Sequence, residues 1–197
     1  MRRWPRVDTA MSRVIHVFRQ PDRFVAGTVG EPGDRTFYLQ AIDEAKVVSV
    51  QMEKEQVAVL AERLSALLDE VVRRLGADAA EPGEVPVDTE PLRTPVEQEF
   101  RVGTMGLGWD IESRAIVVEL LAVSEQEIDE SMVLDDAEEG PDAVRVFLSL
   151  EQARAFAVRA VRVISAGRQP CPLCKEPLGP SGHICPRQNG YRRQAEA

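Results

Sequence analysis

The chain has 197 residues, 44% of them hydrophobic and 29% charged, which is the composition of a folded globular protein with one ordinary core or two small lobes. Its net charge of −9 argues against binding phosphate backbones through the body as a whole, and no apolar run nears the ~18 residues of a membrane span. Its three cysteines all follow residue 170, so no disulfide framework holds the body, and the thiols suit a reducing cytoplasm.

The first ten residues, MRRWPRVDTA, carry charge with no apolar segment behind them. They read as a disordered extension, 1–10, and not as a secretory signal. Apolar alternation begins near Met11. Strands are expected over roughly 13–19, 23–29, 35–41 and 46–52, with a turn at Glu31-Pro32-Gly33-Asp34. His16 alternates with Ile15 and Val17, as a structural strand residue does. A helix follows, with Glu55 and Gln56 in its first turn. Val57, Leu60, Ala61, Leu64, Leu67, Leu68 and Val71 form one apolar stripe along it.

Residues 76–96 hold four prolines and no periodicity, an extended and solvated linker. Strands are expected again over roughly 98–106, 114–123 and 143–148. Between the last two, residues 125–142 carry nine acidic side chains and no basic one, a solvated loop able to meet a basic partner. Ser149 and Gln152 then make a capping box for a second helix that ends near Gly167.

The two halves repeat each other. Val25-Ala-Gly27-Thr28-Val-Gly30 returns as Val102-Gly103-Thr104-Met-Gly106, offset by 76. The strand Val48-Val50-Met52 and its helix return as Val144-Val146-Leu148 and the helix starting at Glu151-Gln152, offset by 96. The expected fold is therefore α+β: antiparallel sheets and two long helices from a duplicated βββα unit. Residues 11–75 form the first repeat, 97–167 the second, and 168–197 a zinc-knuckle tail.

That tail contains CPLCKEPLGPSGHICP. Cys171 and Cys174 supply a C-x-x-C half site, a Pro/Gly loop returns the chain, and His183 and Cys185 complete four ligands for a structural Zn²⁺. A redox C-x-x-C would open a helix, which the flanking prolines disfavour, and a catalytic zinc would need an open position. Metal binding of this kind folds a segment that has almost no apolar core.

Other constellations are weaker. Arg187, Arg192 and Arg193 with Tyr191 could contact a single strand of nucleic acid, against the acidic body. Arg23, Arg35, Tyr38 and Gln40 could line an anion pocket of an unrecognised enzyme, although Arg35 and Tyr38 point to opposite faces of a regular strand. No phosphate-loop, dinucleotide or nucleophile-elbow motif is present. A non-enzymatic binding or adaptor protein with a protein partner is the leading expectation.

The strand at His16-Val-Phe, Pro21-Asp-Arg-Phe-Val-Ala-Gly-Thr-Val-Gly30, Thr36-Phe-Tyr-Leu-Gln-Ala41, Arg145-Val-Phe-Leu, Glu151-Gln-Ala-Arg-Ala-Phe156 and the cysteine-rich tail to Arg193 together resemble an actinobacterial family designated domain of unknown function, number 3090. The resemblance spans about Met11 to Arg193. It implies a cytoplasmic protein encoded beside phosphoglycerate-mutase-like and kinase-like proteins, and it carries no activity. Lys175 departs from the common knuckle pattern, in which glycine often follows the second cysteine.

Overall fold

Alternating apolar residues after Val14 resolve, in the computed structural model, into strands β1 (Ile15–Phe18), β2 (Arg23–Val29), β3 (Thr36–Asp43) and β4 (Lys46–Met52), followed by helix α1 (Lys54–Leu75). The second half supplies β5 (Gln98–Asp110), β6 (Ala115–Ala122), β7 (Ala143–Leu148) and helix α2 (Leu150–Ser165). The structure describes residues 13–75, 88–124, 140–167, 171–175, 178 and 184–187. The proposed extension, most of the acidic loop, and His183, Tyr191, Arg192 and Arg193 lie outside these residues.

Strand periodicity sorts the side chains onto two faces. On β3, Phe37, Leu39 and Ala41 enter the main core, and Gln40 and Ile42 are buried on the opposite face. The core also takes Val57, Leu60, Ala61, Leu64 and Leu68 of α1 and Ala153, Phe156 and Ala160 of α2. The helical stripe is buried as expected, except that Leu67 is only partly covered. No helix among the described residues is long and apolar enough to cross a membrane.

All seven strands form one sheet in the order β1-β7-β6-β5-β4-β3-β2. It is mixed, not antiparallel throughout: β1 pairs parallel with β7, and β4 pairs parallel with β5. The β4–β5 pair is parallel because the α1 crossover returns the chain in the direction of the strand it left. By contrast, β1 and β7 are the first and last strands and meet with no crossover between them.

This order forces the sheet to curl. β1 and β2 stand at opposite ends of it, yet only residues 19–22 join them. Phe18 to Arg23 can span at most about 18 Å. Seven flat strands would put their outer members roughly 29 Å apart. The sheet therefore closes on itself, and β1 and β2 act as two parts of one bent strand.

The pairing registers also define the repeat. Gln40 pairs with Ser49 between β3 and β4, and Glu119 pairs with Arg145 between β6 and β7. Each is a polar pair among apolar neighbours, and Ser49 and Arg145 are the positions related by the 96-residue offset. Val17 opposite Arg145 then corresponds to Gln98 opposite Ser49, and Val25 opposite Gln40 to Gly106 opposite Glu119. β5 thus matches β1 and β2 combined, with Gly27 equivalent to Gly108. The glycine match at offset 76 is not the one the registers support: Gly103 sits at an irregularity between Val102 and Thr104, its α-carbon face against Val123.

Helix α2 runs along β2. Gln152 donates to the carbonyl of Pro21, Phe156 stacks on Phe24 with centroids 4.8 Å apart, and Arg159 donates to the Ala26 carbonyl. At the far end Arg35 donates to the carbonyls of Val163 and Ala166. The helix starts with the expected capping box, in which the Ser149 hydroxyl accepts from Gln152 N–H and the Gln152 side chain accepts from Ser149 N–H. It ends near Gly167, as expected, with Ala166 (φ −71°) as the capping residue.

The stretch read as a solvated linker is packed down over its last part. Leu92 is buried and lies against Gly27, while the Gln40 side chain accepts from Arg93 N–H and donates to the Arg93 carbonyl. Asp88 receives bonds from both Arg23 and Arg159.

Candidate metal centre

The cysteine-rich tail follows α2, whose C-terminal carbonyls are held by Arg35. Cys171-Pro-Leu-Cys174 turns back on itself, and Lys175 N–H donates to the Cys171 carbonyl at 2.9 Å. A turn this tight leaves Lys175 at φ +68°, in the left-handed region that glycine occupies most easily. The departure from the knuckle pattern noted at this position is thus a backbone matter.

The turn brings Cys171, Cys174 and Cys185 together, with all three Sγ atoms within 4.8 Å of one another. Cys171 Sγ and Cys185 Sγ are 3.8 Å apart. That is far longer than a disulfide, at roughly 2.05 Å. It equals the edge of a tetrahedron with ~2.3 Å metal–sulfur bonds, about 3.8 Å. The cluster is placed to hold a metal ion. Cys171 and Cys185 are buried and Cys174 is half-buried. The proposed fourth ligand, His183, falls outside the described residues.

Arg187 closes the assembly from the other side: its guanidinium donates to the Leu173 carbonyl at 3.0 Å. This engages the one described member of the proposed nucleic-acid set in tying the Cys185 segment to the C-x-x-C turn. The apolar side chains beside the thiols face outward, Leu173 at 47% and Ile184 at 86% exposure.

The anion pocket proposed for an enzyme does not assemble. Arg23, at the start of β2, is engaged with Asp88 and with the carbonyls of Glu90 and Pro91. Arg35 stands at the other end of the β2–β3 hairpin, bound to the carbonyls of Val163 and Ala166. Gln40 is fully buried between Ser49 and Arg93. His16 is hydrogen-bonded to Glu99 at 3.1 Å, across the curled sheet.

One constellation escaped the sequence reading. Asp88 receives Arg23 on both oxygens and Arg159 on one, and Arg159 also donates to the carbonyls of Ala26, Asp88 and Glu90. The Arg23 hydrogen bond, foremost, holds the Asp88 carboxyl below its usual value, against the opposing effect of burial. Burial lowers the Arg159 pKa, and Asp88 opposes that shift. Arg159 was detectable in principle, as a charge inside the apolar stripe of α2. Asp88 had no signal, since it lies in a Pro-rich stretch far away in the chain.

No curated protein matches the chain, and no solved structure does. Residues 16–185, which run from β1 to the last cysteine of the cluster, match the family model described as protein of unknown function (DUF3090), and the chain belongs to that family.

Proposed function

We propose that the protein is a zinc-binding adaptor of the cytoplasm: a non-enzymatic α+β body with a metal-stiffened arm that docks a protein partner. The observation that carries this reading is the 3.8 Å separation of Cys171 and Cys185, with Cys174 beside them. Thiolate ligands in a set of four, with His183 as the fourth, suit zinc and leave it no open position for water, so its work is structural. Such an ion stiffens a segment with little apolar core of its own. The stiffened turn presents Leu173 and Ile184 to solvent, and apolar groups on a rigid support make good docking contacts.

The test joins metal analysis to capture of partners. Purified chain is expected to carry one zinc, lost in Cys174→Ser and weakened in His183→Ala. Tagged chain from native extract is expected to retain a protein partner after nuclease treatment. That partner should be lost both in Cys174→Ser and in the Leu173→Ser/Ile184→Ser double variant, which keeps its zinc. Zinc-free native protein, or a partner that survives both variants, would sink the reading. Loss of every bound species on nuclease treatment would transfer the role to nucleic acid.

A further inference from the structure

We infer that a second site, remote in sequence from the cysteines, binds a small phosphorylated molecule in the cavity between the end of β1, the β5–β6 turn and the start of α2. The cavity is half open and about 580 Å³ in volume, within the range of small-ligand pockets. Arg19 and Ser113-Arg114-Ala115 line it, together with Phe147 and Ser149. Among its described lining residues there is no carboxylate.

Arg114 is the freer of the two arginines, since Arg19 is also within electrostatic reach of Asp110. Arg114 makes no hydrogen bond or ion pair among the described residues, and Arg19 lies over the Phe147 ring at 4.8 Å. The neighbouring acid, Asp110, is occupied by the Ser113 hydroxyl and by the N–H groups of Glu112 and Ser113. In a protein of net charge −9, two cations converging on one cavity from separate elements need an explanation.

The duplication supplies an internal comparison. By strand register, Arg35 is the counterpart of Arg114 and Glu53 of Ser149, and Arg101 stands opposite Gln51, the counterpart of Phe147, past the register shift in β5. In the first half each cation has a partner: Arg101 pairs with Glu53, and Arg35 is bound to the carbonyls ending α2. In the second half serine stands where the glutamate was, Arg19 lies over the Phe147 ring, and Arg114 faces the cavity. The same scaffold position is neutralised in one copy and cationic in the other.

Two guanidinium groups on separate elements match a dianion, and each presents a fork of donors suited to phosphate oxygens. Ser149 lies at the positive end of the 16-residue α2, which adds to the same field. The cavity is larger than a phosphate needs, and its remaining wall is Phe147 and Ala115, an apolar surface for a small organic moiety.

The test is an NMR titration of the full, metal-loaded chain at fixed ionic strength with inorganic phosphate, glycerol 3-phosphate, acetate and chloride. The two phosphates are expected to shift the amide signals of Arg114, Ala115 and Gln152 saturably, and chloride and acetate are not. An Arg19→Gln/Arg114→Asn double variant should bind glycerol 3-phosphate at least ~10-fold more weakly, because charge-assisted bonds are lost. Asparagine is chosen because Arg114 sits at φ +49°. Arg63→Gln, which removes a charge from α1, should change nothing. Arg114→Asn alone reports the same loss if the double variant folds poorly. Equal shifts in the arginine variants, or acetate binding as tightly as phosphate, would overturn the assignment. Zinc content is unaffected in either case, so the result is independent of the adaptor reading.

Discussion

Lys175 holds the tight turn of the C-x-x-C half site at φ +68°, where a side chain costs about 1 kcal/mol more than glycine does. Metal binding and folding of such a turn are one process, so backbone strain there weakens the metal. Lys175→Gly is expected to tighten zinc about fivefold in competition with a chromophoric chelator. A weaker complex would mean that the lysine ammonium stabilises the thiolate cluster more than its backbone strains it. Asp88 poses the opposite problem, a charge whose removal strands its partners. Arg159 is 6% exposed and would keep its desolvation cost without Asp88 beside it. Asp88→Asn is expected to lose about 2 kcal/mol in urea unfolding at pH 7. The folded-state pKa of Asp88 lies below its unfolded value, so its contribution is present above about pH 4 and fades as pH falls through the lower value. The variant's deficit should therefore shrink on acidification. A deficit constant from pH 7 to pH 3 would mean that packing, and not charge, is what Asp88 supplies.

At the scale of elements, residues 88–95 show why local reading fails in a specific way. Proline content and lack of period mark this stretch as linker correctly. They say nothing of what lies beneath it, because Leu92 finds its seat on Gly27, which the chain reaches through two further strands and a helix. A β-carbon on Gly27 would stand 2.5 Å from Leu92 Cγ. Gly27→Ala is expected to cost about 1–3 kcal/mol by forcing the leucine off its site. Leu92→Ala, which opens a hole there, should cost about 2–3 kcal/mol. Together they should cost clearly less than the sum, since the methyl occupies space that the leucine has vacated. Additive losses in thermal or urea unfolding would show that the strap does not rest on the glycine. By contrast, the strands and helices were legible because their burial is periodic. Ser149 and Gln152 were legible as a cap because the interaction is three residues long. The C-x-x-C turn was readable for the same reason. The cavity by Arg19 and Arg114 was not, since its walls come from segments distant in sequence that meet only because β1 and β6 flank β7 in the sheet. The buried Glu119–Arg145 pair was hidden likewise, each partner looking like an ordinary outward residue of its own strand.

For the molecule as a whole, closure makes the two repeats interdependent. The last strand of each half pairs parallel with the opening strand of the other: β4 with β5, and β7 with β1. Gln56, at the start of α1, donates to the Val102 carbonyl on β5, while its counterpart Gln152 reaches Pro21 before β2. Neither half alone could cover its sheet edge or seat its helix. Residues 11–75 and 88–167 expressed separately are therefore expected to lack dispersed NMR spectra and to regain them on mixing. None of these pairings involves the cysteine-rich tail, so the body should stand without the metal. Chelation, or Cys174→Ser, is expected to change signals of the tail while leaving the single urea transition of the body within about 0.5 kcal/mol of its starting value. If metal removal instead lowered the whole transition, the tail would be a member of the core and the ion a condition for the fold. If the halves folded separately, the strand exchange between them would be a contact between finished domains and not the means by which either is completed.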